Sequence, residues 1–159
     1  MSRVFTALST SVDGYITGPD PSPEAALGRG GKRLFDWYFD GDVPSREFEG
    51  FRLSAQSARV FDDVAARIGA VICGRRTYDH SHGFGGDGSP HPTAPLVVLS
   101  HRPPPPGASQ AFATSIEEAV EIASRLAGDR DVGVQGGQTT AAAIEAGLLD
   151  EVIVHQVPI

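Results

Sequence analysis

The chain has 159 residues, of which 40% are hydrophobic and 21% are charged, as is typical of one globular domain with a substantial core. Thirteen basic and twenty acidic residues give a net charge of −7. This charge argues against a broad surface for nucleic acid or anionic membranes, but it leaves room for a small anion held by a few local cations. No segment approaches the ~20 apolar residues that cross a bilayer, so we expect a cytoplasmic protein without a membrane partner.

The first half of the chain contains few regular elements. The predicted segments are a strand at Val4–Ser9, a turn at 11–14, a short extended piece at 15–17, a Pro/Gly-rich loop at 18–31 and an aromatic segment at 34–39. Between Ser54 and Ile68 the apolar residues recur at helical spacing, which predicts a helix.

The second half alternates strands with helices. Strands are predicted at 70–73, 96–100, 131–135 and 151–157, and helices from about 76, from 115 to 127 and from 139 to 146. Ser115 and Glu118 have the spacing of a capping box, and the helix that they open is expected to bury Ile116, Ala119, Val120, Ala123 and Leu126. The alternation predicts an α/β fold with a mainly parallel sheet, in a single domain over residues 1–159.

Three predicted strand ends are followed by flexible or cationic residues, and ligands gather at the carboxyl ends of parallel strands. Gly136-Gly137 stands before a predicted helix, where backbone N–H groups and the helix dipole favour a phosphate. A glycine pair alone is also compatible with an ordinary turn. Arg75, Arg76 and Arg102 follow the other two strands, and guanidinium groups bind phosphates in a paired geometry. Together these features indicate a dinucleotide site with a 2′-phosphate pocket, although each arginine taken alone is compatible with a solvated surface charge.

Four motifs in this order resemble the dihydrofolate-reductase-like superfamily and, within it, the riboflavin-biosynthesis reductases of the RibD C-terminal-domain type. They are the segments 4–16, 71–78, 97–102 and 132–139, the last followed by 146–151. The resemblance implies a three-layer α/β fold whose mixed, mostly parallel central sheet is flanked by helices. It also implies NADPH as cofactor, a small-molecule substrate and a homodimer.

The resemblance also implies roles for single residues. The residues expected to meet the cofactor phosphates are Gly74, Arg75, Arg76, Thr77, Gly136, Gly137, Gln138 and Thr139, and those expected at the 2′-phosphate are Ser100, His101 and Arg102. Ala7, Asp13, Gly14 and Ile16 are expected along the nicotinamide.

The implied reaction is hydride transfer to a carbonyl or imine carbon, such as that of 5-amino-6-(5-phosphoribosylamino)uracil. Two alternatives stay open: a nucleotide-binding module of the same fold without turnover, and a pterin or dihydrofolate reductase. The acid that helps to protonate a pterin has no convincing match among Asp36, Asp40, Asp42, Glu47, Asp62 and Asp63. The catalytic side chains are therefore left unassigned.

Other chemistry-bearing residues have competing interpretations. Trp37 and Tyr38 fit either a substrate pocket or the core. Cys73 lies in an apolar run and is interpreted as a small buried hydrophobe. His80, His82 and His91 lack the carboxylate spacing of a metal site, so no metal is expected. Relatives continue beyond a strand like 152–158, so we expect further residues after Ile159 in the natural protein.

Overall fold

The computed structural model describes residues 2–159, which form two compact units. The first, here called the sheet unit, comprises the chain up to Leu8 together with Ile68–Val154. The second, here called the aromatic unit, comprises Ser9–Arg67 and His155–Ile159. Within the described residues, every helix is too short or too polar to cross a membrane.

Residues 2–159 form eight strands: β1 (Val4–Thr10), β2 (Val43–Pro44), β3 (Arg52–Leu53), β4 (Ile68–Gly74), β5 (Leu96–Leu99), β6 (Ala111–Ala113), β7 (Asp131–Gln135) and β8 (Glu151–Gln156). They form five helices: α1 (Ala55–Arg67), α2 (Arg75–His80), α3 (His82–Gly85), α4 (Ile116–Ala127) and α5 (Gly137–Glu145). A 3₁₀ helix covers Gly31–Tyr38.

The sheet unit is built on six strands in the order β6-β5-β4-β7-β1-β8. The pairs β1–β7, β4–β7, β4–β5 and β5–β6 are all parallel. β4, β5 and β7 are short apolar runs that lie almost wholly buried, as expected for strands covered on both faces. The predicted α/β fold with a mostly parallel sheet is confirmed.

Helix α4 has the predicted N-cap, but its buried face differs from the prediction at one residue. The Ser115 hydroxyl accepts a hydrogen bond from the Glu118 N–H at 3.1 Å, as the capping box predicts, but the Glu118 carboxylate reaches back to the N–H of Thr114 instead. Ala123 and Ala127 are buried, whereas Leu126 is 48% exposed. The prediction that Leu126 is buried was wrong, because Ala127 lies four residues after Ala123 and takes the inward position.

A buried polar chain fixes α5 on the sheet. The Thr6 hydroxyl of β1 donates to the Val134 carbonyl of β7 at 2.8 Å, and the Thr140 hydroxyl of α5 lies 3.3 Å from the Thr6 hydroxyl. Both threonines are at most 6% exposed. Because a buried hydroxyl needs a hydrogen-bond partner, these two hydrogen bonds hold the start of α5 at the end of β7.

The aromatic unit contains α1, the β2–β3 pair and the 3₁₀ helix. Tyr38 stacks on Phe51 with ring centroids 4.7 Å apart, and Phe48 stacks on the same ring at 5.0 Å. Residues 15–17, which were predicted to be extended, are not a strand. Ser11 instead closes a turn, because its hydroxyl accepts from the Tyr15 N–H at 2.9 Å.

Asp62 is a buried carboxylate in the aromatic unit, 2% exposed. It accepts hydrogen bonds from the Ser45 hydroxyl at 2.5 Å and from the Arg46 N–H at 3.0 Å. Burial raises the pKa of Asp62, but these hydrogen bonds and the Arg46 guanidinium outweigh burial and leave the pKa below its ordinary value. Asp62 therefore ties the segment after β2 to α1.

Candidate functional site

The three polar strand ends lie side by side on one edge of the sheet unit. β4 stands between β5 and β7, with Gly74 level with Leu99 and Cys73 level with Gln135. Since all three strands run in the same direction, the segments that follow them leave the sheet at the same edge. These segments are 74–77, 100–102 and 136–139, and we call them together the strand-end site.

Two glycines allow close approach within this site. A Cβ built on Gly74 would lie 2.8 Å from the Thr139 Oγ1 atom, closer than real side chains pack. Gly136 has φ +89°, and a Cβ there would lie 3.3 Å from the Thr77 Oγ1 atom. The two threonine hydroxyls therefore stand against the glycine backbone, where a side chain would fill the space.

The start of α5 is more favourable for an anion than the sequence predicted. The helix begins at Gly137 rather than near residue 139, so the glycine pair itself forms the helix start. Gly136, the residue before it, supplies no side-chain cap. The N-terminal N–H groups and the positive end of the helix dipole thus lie directly at the strand end.

Two of the three arginines share one carboxylate. The Arg75 Nε–H donates to Asp79 Oδ1 at 2.7 Å, and the Arg102 Nη2–H donates to Asp79 Oδ2 at 2.7 Å. Burial raises the pKa of Asp79, but the two guanidinium groups outweigh burial and hold that pKa below its ordinary range. Asp79 therefore stays ionised at neutral pH.

Ser100 connects the same arginines through its hydroxyl. This oxygen accepts from the Arg102 N–H at 3.1 Å and from Arg75 Nη1 at 3.3 Å, and it lies 2.9 Å from the Arg102 carbonyl. Arg75 also donates from Nη1 to the Pro103 carbonyl at 2.9 Å. Ser100 is 6% exposed, so it shapes the turn after β5 from inside.

Arg76 differs from its two neighbours. It is exposed and makes no ion pair with any residue between 2 and 159. With Arg75, Arg76 and Arg102 set against Asp79, the group carries a net charge of +2 in a unit whose acidic residues outnumber its basic ones. The strand-end site is a local cationic patch on an acidic protein, which is what a phosphorylated ligand needs.

A comparison of the sequence with protein families identifies the chain. Residues 3–159 match the model of the RibD C-terminal domain. The chain belongs to the RibD C-terminal domain family. A search of curated proteins returned no match.

Solved structures support the same fold. The crystal structure of a Shewanella sp. PV-4 protein named for riboflavin biosynthesis superimposes with a TM-score of 0.61 at 21% identity, covering 99% of this chain and 77% of that protein. The predicted dihydrofolate-reductase-like α/β fold is thus confirmed for this RibD C-terminal domain.

The remaining predicted site residues lie elsewhere in the RibD C-terminal domain. Ala7 is half-buried in β1. Asp13, Gly14 and Ile16 belong to the aromatic unit, where the Asp13 carboxylate accepts from the Ser11 hydroxyl at 2.5 Å and Gly14 has φ +88°. His101 is exposed beside Arg102 in the strand-end site.

Trp37 and Tyr38, the two predicted substrate residues, pack among other rings of the aromatic unit. The Trp37 Nε1–H donates to the Ser9 hydroxyl at 3.1 Å, and its ring lies 5.0 Å from the His155 ring. Burial raises the pKa of Tyr38 and lowers the pKa of His155. The sequence did not predict the contact of His155 with Trp37, because a single histidine in a predicted terminal strand belongs to no recognisable motif.

The candidate acids and the cysteine have defined surroundings. Asp36, Asp40, Asp42 and Asp63 are exposed, and the buried Asp62 is already committed to Ser45 and Arg46. Burial raises the pKa of Cys73 to about 12, so this thiol stays protonated at neutral pH.

A cavity of about 530 Å³ adjoins the strand-end site in the sheet unit. Its lining includes Tyr78, Asp79, His82 and the segment 105–108. Within the short α3, His82, Gly83 and Phe84 all have positive φ, so this segment is a left-handed turn and not a regular right-handed helix. The sequence predicted only a loop in this region, since no residue pattern announces such a turn.

Proposed function

We propose that the strand-end site binds NADPH and that the protein is an NADPH-dependent reductase of the riboflavin-pathway type. The observation that carries the proposal is the meeting of an uncapped, glycine-led helix start with three arginines on adjacent strand ends. Membership of the RibD C-terminal domain family supports it, and so does the fold shared with a protein named for riboflavin biosynthesis.

The residues present fit the pyrophosphate of a dinucleotide. At Gly74 and Gly136 two threonine hydroxyls lie against the backbone where a side chain would stand, so the hydroxyls and the glycine backbone form a cradle at the strand ends. The N–H groups of Gly137 and Gln138 lie in the first turn of α5, where the helix dipole favours negative charge. We assign this cradle to the pyrophosphate, with Thr77 and Thr139 as hydroxyl donors.

The arginines fit the additional phosphate that distinguishes NADPH from NADH. Arg75 Nη2 and the Nε and Nη1 of Arg102 make no hydrogen bond to any residue between 2 and 159, so they remain as donors. Arg76 is exposed beside them. We assign the 2′-phosphate to this group, together with Ser100 and His101.

When bound, NADPH supplies a hydride for the reduction of a carbonyl or imine carbon. We propose a phosphoribosylamino pyrimidine as substrate, such as 5-amino-6-(5-phosphoribosylamino)uracil, whose ribose becomes a ribityl chain. In this scheme the protein binds and orients the phosphates, and the reaction needs few side chains that do covalent chemistry. The roles implied for Ala7, Asp13, Gly14, Ile16, Trp37 and Tyr38, the homodimer and the cytoplasmic location stay predictions.

Titration of the purified protein with NADPH and NADH, followed by fluorescence, tests the proposal. Wild type should bind NADPH more tightly, and Arg102→Ala and Arg76→Ala should each weaken NADPH by roughly tenfold while changing NADH little, because only NADPH carries the third phosphate. Arg125→Ala, which removes a helix-surface arginine paired with Glu121, is the matched control.

Each result has a defined meaning. Failure of the wild type to bind either nucleotide would contradict the reductase proposal. Binding without oxidation of NADPH in the presence of imine and carbonyl substrates would favour a nucleotide-binding module without turnover. Oxidation with dihydrofolate but not with the pyrimidine would favour a pterin or dihydrofolate reductase.

A further inference from the structure

Asp79 is the one acidic residue whose carboxylate contacts two of the arginines assigned to the phosphate, as far as the described chain shows. Its two oxygens are divided evenly: Oδ1 accepts from Arg75 and Oδ2 accepts from Arg102, both at 2.7 Å. A carboxylate near a phosphate site is unfavourable by charge alone. Its presence there requires a physical reason.

The local structure gives that reason. Arg75 and Asp79 are four residues apart on α2, so their side chains lie on the same face of the helix. Arg102 comes from the turn after β5 and reaches the same carboxylate. Asp79 therefore links two separate segments of the strand-end site through a single side chain.

We propose that Asp79 is a positioning residue that sets the preference for the phosphorylated cofactor, an inference that rests on the proposed function. Its carboxylate holds the guanidinium groups of Arg75 and Arg102 beside each other, with their remaining N–H groups available to one 2′-phosphate. Without Asp79, Arg102 would have to lose its side-chain freedom when the ligand binds.

The burial of the arginines shows why positioning matters. The Arg75 side chain is 16% exposed and is also held by Ser100 and Pro103, whereas the Arg102 side chain is 63% exposed. Arg102 has few other contacts that fix its guanidinium group. Long side chains lose substantial rotamer freedom on ordering, so a residue that orders Arg102 in advance improves affinity.

The charge balance permits this arrangement. Asp79 offsets one of the three guanidinium charges, so the group keeps a net charge of +2, and Arg76 makes no ion pair within residues 2–159. Asp79 remains ionised well below neutral pH, since its pKa is lowered by both guanidinium groups. The link between the arginines is therefore constant over the range in which a phosphate dianion exists.

The test compares Asp79→Ala and Asp79→Asn with the control Asp129→Ala. Asp129 is an exposed carboxylate of the same unit that precedes β7, at the opposite end of that strand from the site, and it makes no ion pair with any described residue. Asp129→Ala changes the net charge by the same amount as Asp79→Ala. For each protein the dissociation constants of NADPH and NADH are measured, and a thermal melt checks the fold.

The ratio of the two constants separates positioning from simple stability. Asp79→Ala should reduce the preference for NADPH by roughly tenfold, with NADH affinity nearly unchanged. The preference of Asp79→Asn for NADPH should lie between those of wild type and Asp79→Ala, because the single amide oxygen can accept only one of the two hydrogen bonds. Asp129→Ala should keep the wild-type ratio. If Asp79→Ala does not fold stably, the ratio of the NADPH and NADH dissociation constants of Asp79→Asn tests the proposal instead.

Three results would overturn the inference. A wild-type preference that is unchanged in both Asp79 variants would contradict it and leave the proposed function intact. Tighter NADPH binding by Asp79→Ala would show that repulsion outweighs positioning. Failure of the wild type to bind either nucleotide would remove the proposed function and this inference together.

Discussion

The strand-end site and the aromatic cluster of Trp37, Tyr38, Phe48, Phe51 and Phe61 are both rich in side chains that proteins use for ligands, yet their contacts differ. In the cluster the rings pack against one another, with Phe51 stacked on both Tyr38 and Phe48. At the strand ends, Arg76 is exposed and the helix start lacks a side-chain cap. Residue type suggested both regions as sites, but the contacts leave donors available at the strand ends.

The two regions also use an aspartate–arginine contact differently. Asp62 is 2% exposed and is bound by Ser45 and Arg46, so its contact joins two elements of the aromatic unit. Asp79 is more exposed and orders arginines that keep free N–H groups. Substitutions in the cluster should therefore affect stability, and substitutions at the strand ends should affect binding.

The largest effect is expected from Tyr38→Ala. Removing a ring at the centre of the cluster should lower the free energy of unfolding by about 3 kcal/mol, through lost burial and the cavity left behind. Tyr38→Phe keeps the ring and should cost much less. Chemical denaturation measures both variants. Equal losses would show that the hydroxyl, rather than the ring packing, carries the stability.

Asp62→Asn should lower the free energy of unfolding by about 2 kcal/mol at neutral pH, because the buried hydrogen-bond network loses its charged acceptor. The folded-state pKa of Asp62 lies below its ordinary value of 3.8, so its stabilisation is complete above that value and is lost as the pH falls through the folded pKa. The difference in the free energy of unfolding between wild type and Asp62→Asn, measured by chemical denaturation, should therefore become smaller in acid. A difference that does not change with pH would show that the charge of Asp62 does not stabilise the fold.

Gly136→Ala, unlike the two preceding variants, should weaken cofactor binding and cost only a little stability. A side chain at φ +89° costs about 1 kcal/mol of stability, and its Cβ would also approach the Thr77 hydroxyl inside the proposed cradle, so NADPH should bind roughly tenfold more weakly. Gly50→Ala, at φ +86° with open space around its Cβ and in the aromatic unit, carries the backbone cost alone. Unchanged NADPH affinity in Gly136→Ala would remove the cradle from the site.

The smallest effect is expected at Cys73, which stands next to Gly74 but faces the core. Because burial raises its pKa to about 12, a thiol reagent at pH 8 should label the folded protein very slowly and the denatured protein quickly. Fast labelling without denaturant would show that this end of β4 opens.

The sequence predicted much of the sheet unit because strand and helix alternate there with clear apolar runs. The bounds 131–135 of β7 agree with the prediction, and the parallel order then brings 74–77, 100–102 and 136–139 to one edge. β6 was missed, since Ala111-Phe112-Ala113 is short and follows a proline-rich loop. β2 and β3 have two residues each, too few for any period.

The finer features of the candidate site depend on contacts that sequence spacing does not contain. The i,i+4 spacing of Arg75 and Asp79 was readable, but the contact of Asp79 with Arg102 depends on how the turn after β5 folds. The ring contact of His155 with Trp37 likewise joins positions over a hundred residues apart. Such pairs follow from tertiary packing and not from local pattern.

Phosphorus NMR of NADP⁺ titrated with the protein observes binding at both proposed phosphate positions, since the 2′-phosphate and the pyrophosphate give separate signals. We expect both signals to move with wild type, and we expect Arg102→Ala to reduce the change at the 2′-phosphate while the pyrophosphate still responds. If neither signal moves at protein concentrations that saturate a micromolar site, the strand-end site does not bind the cofactor.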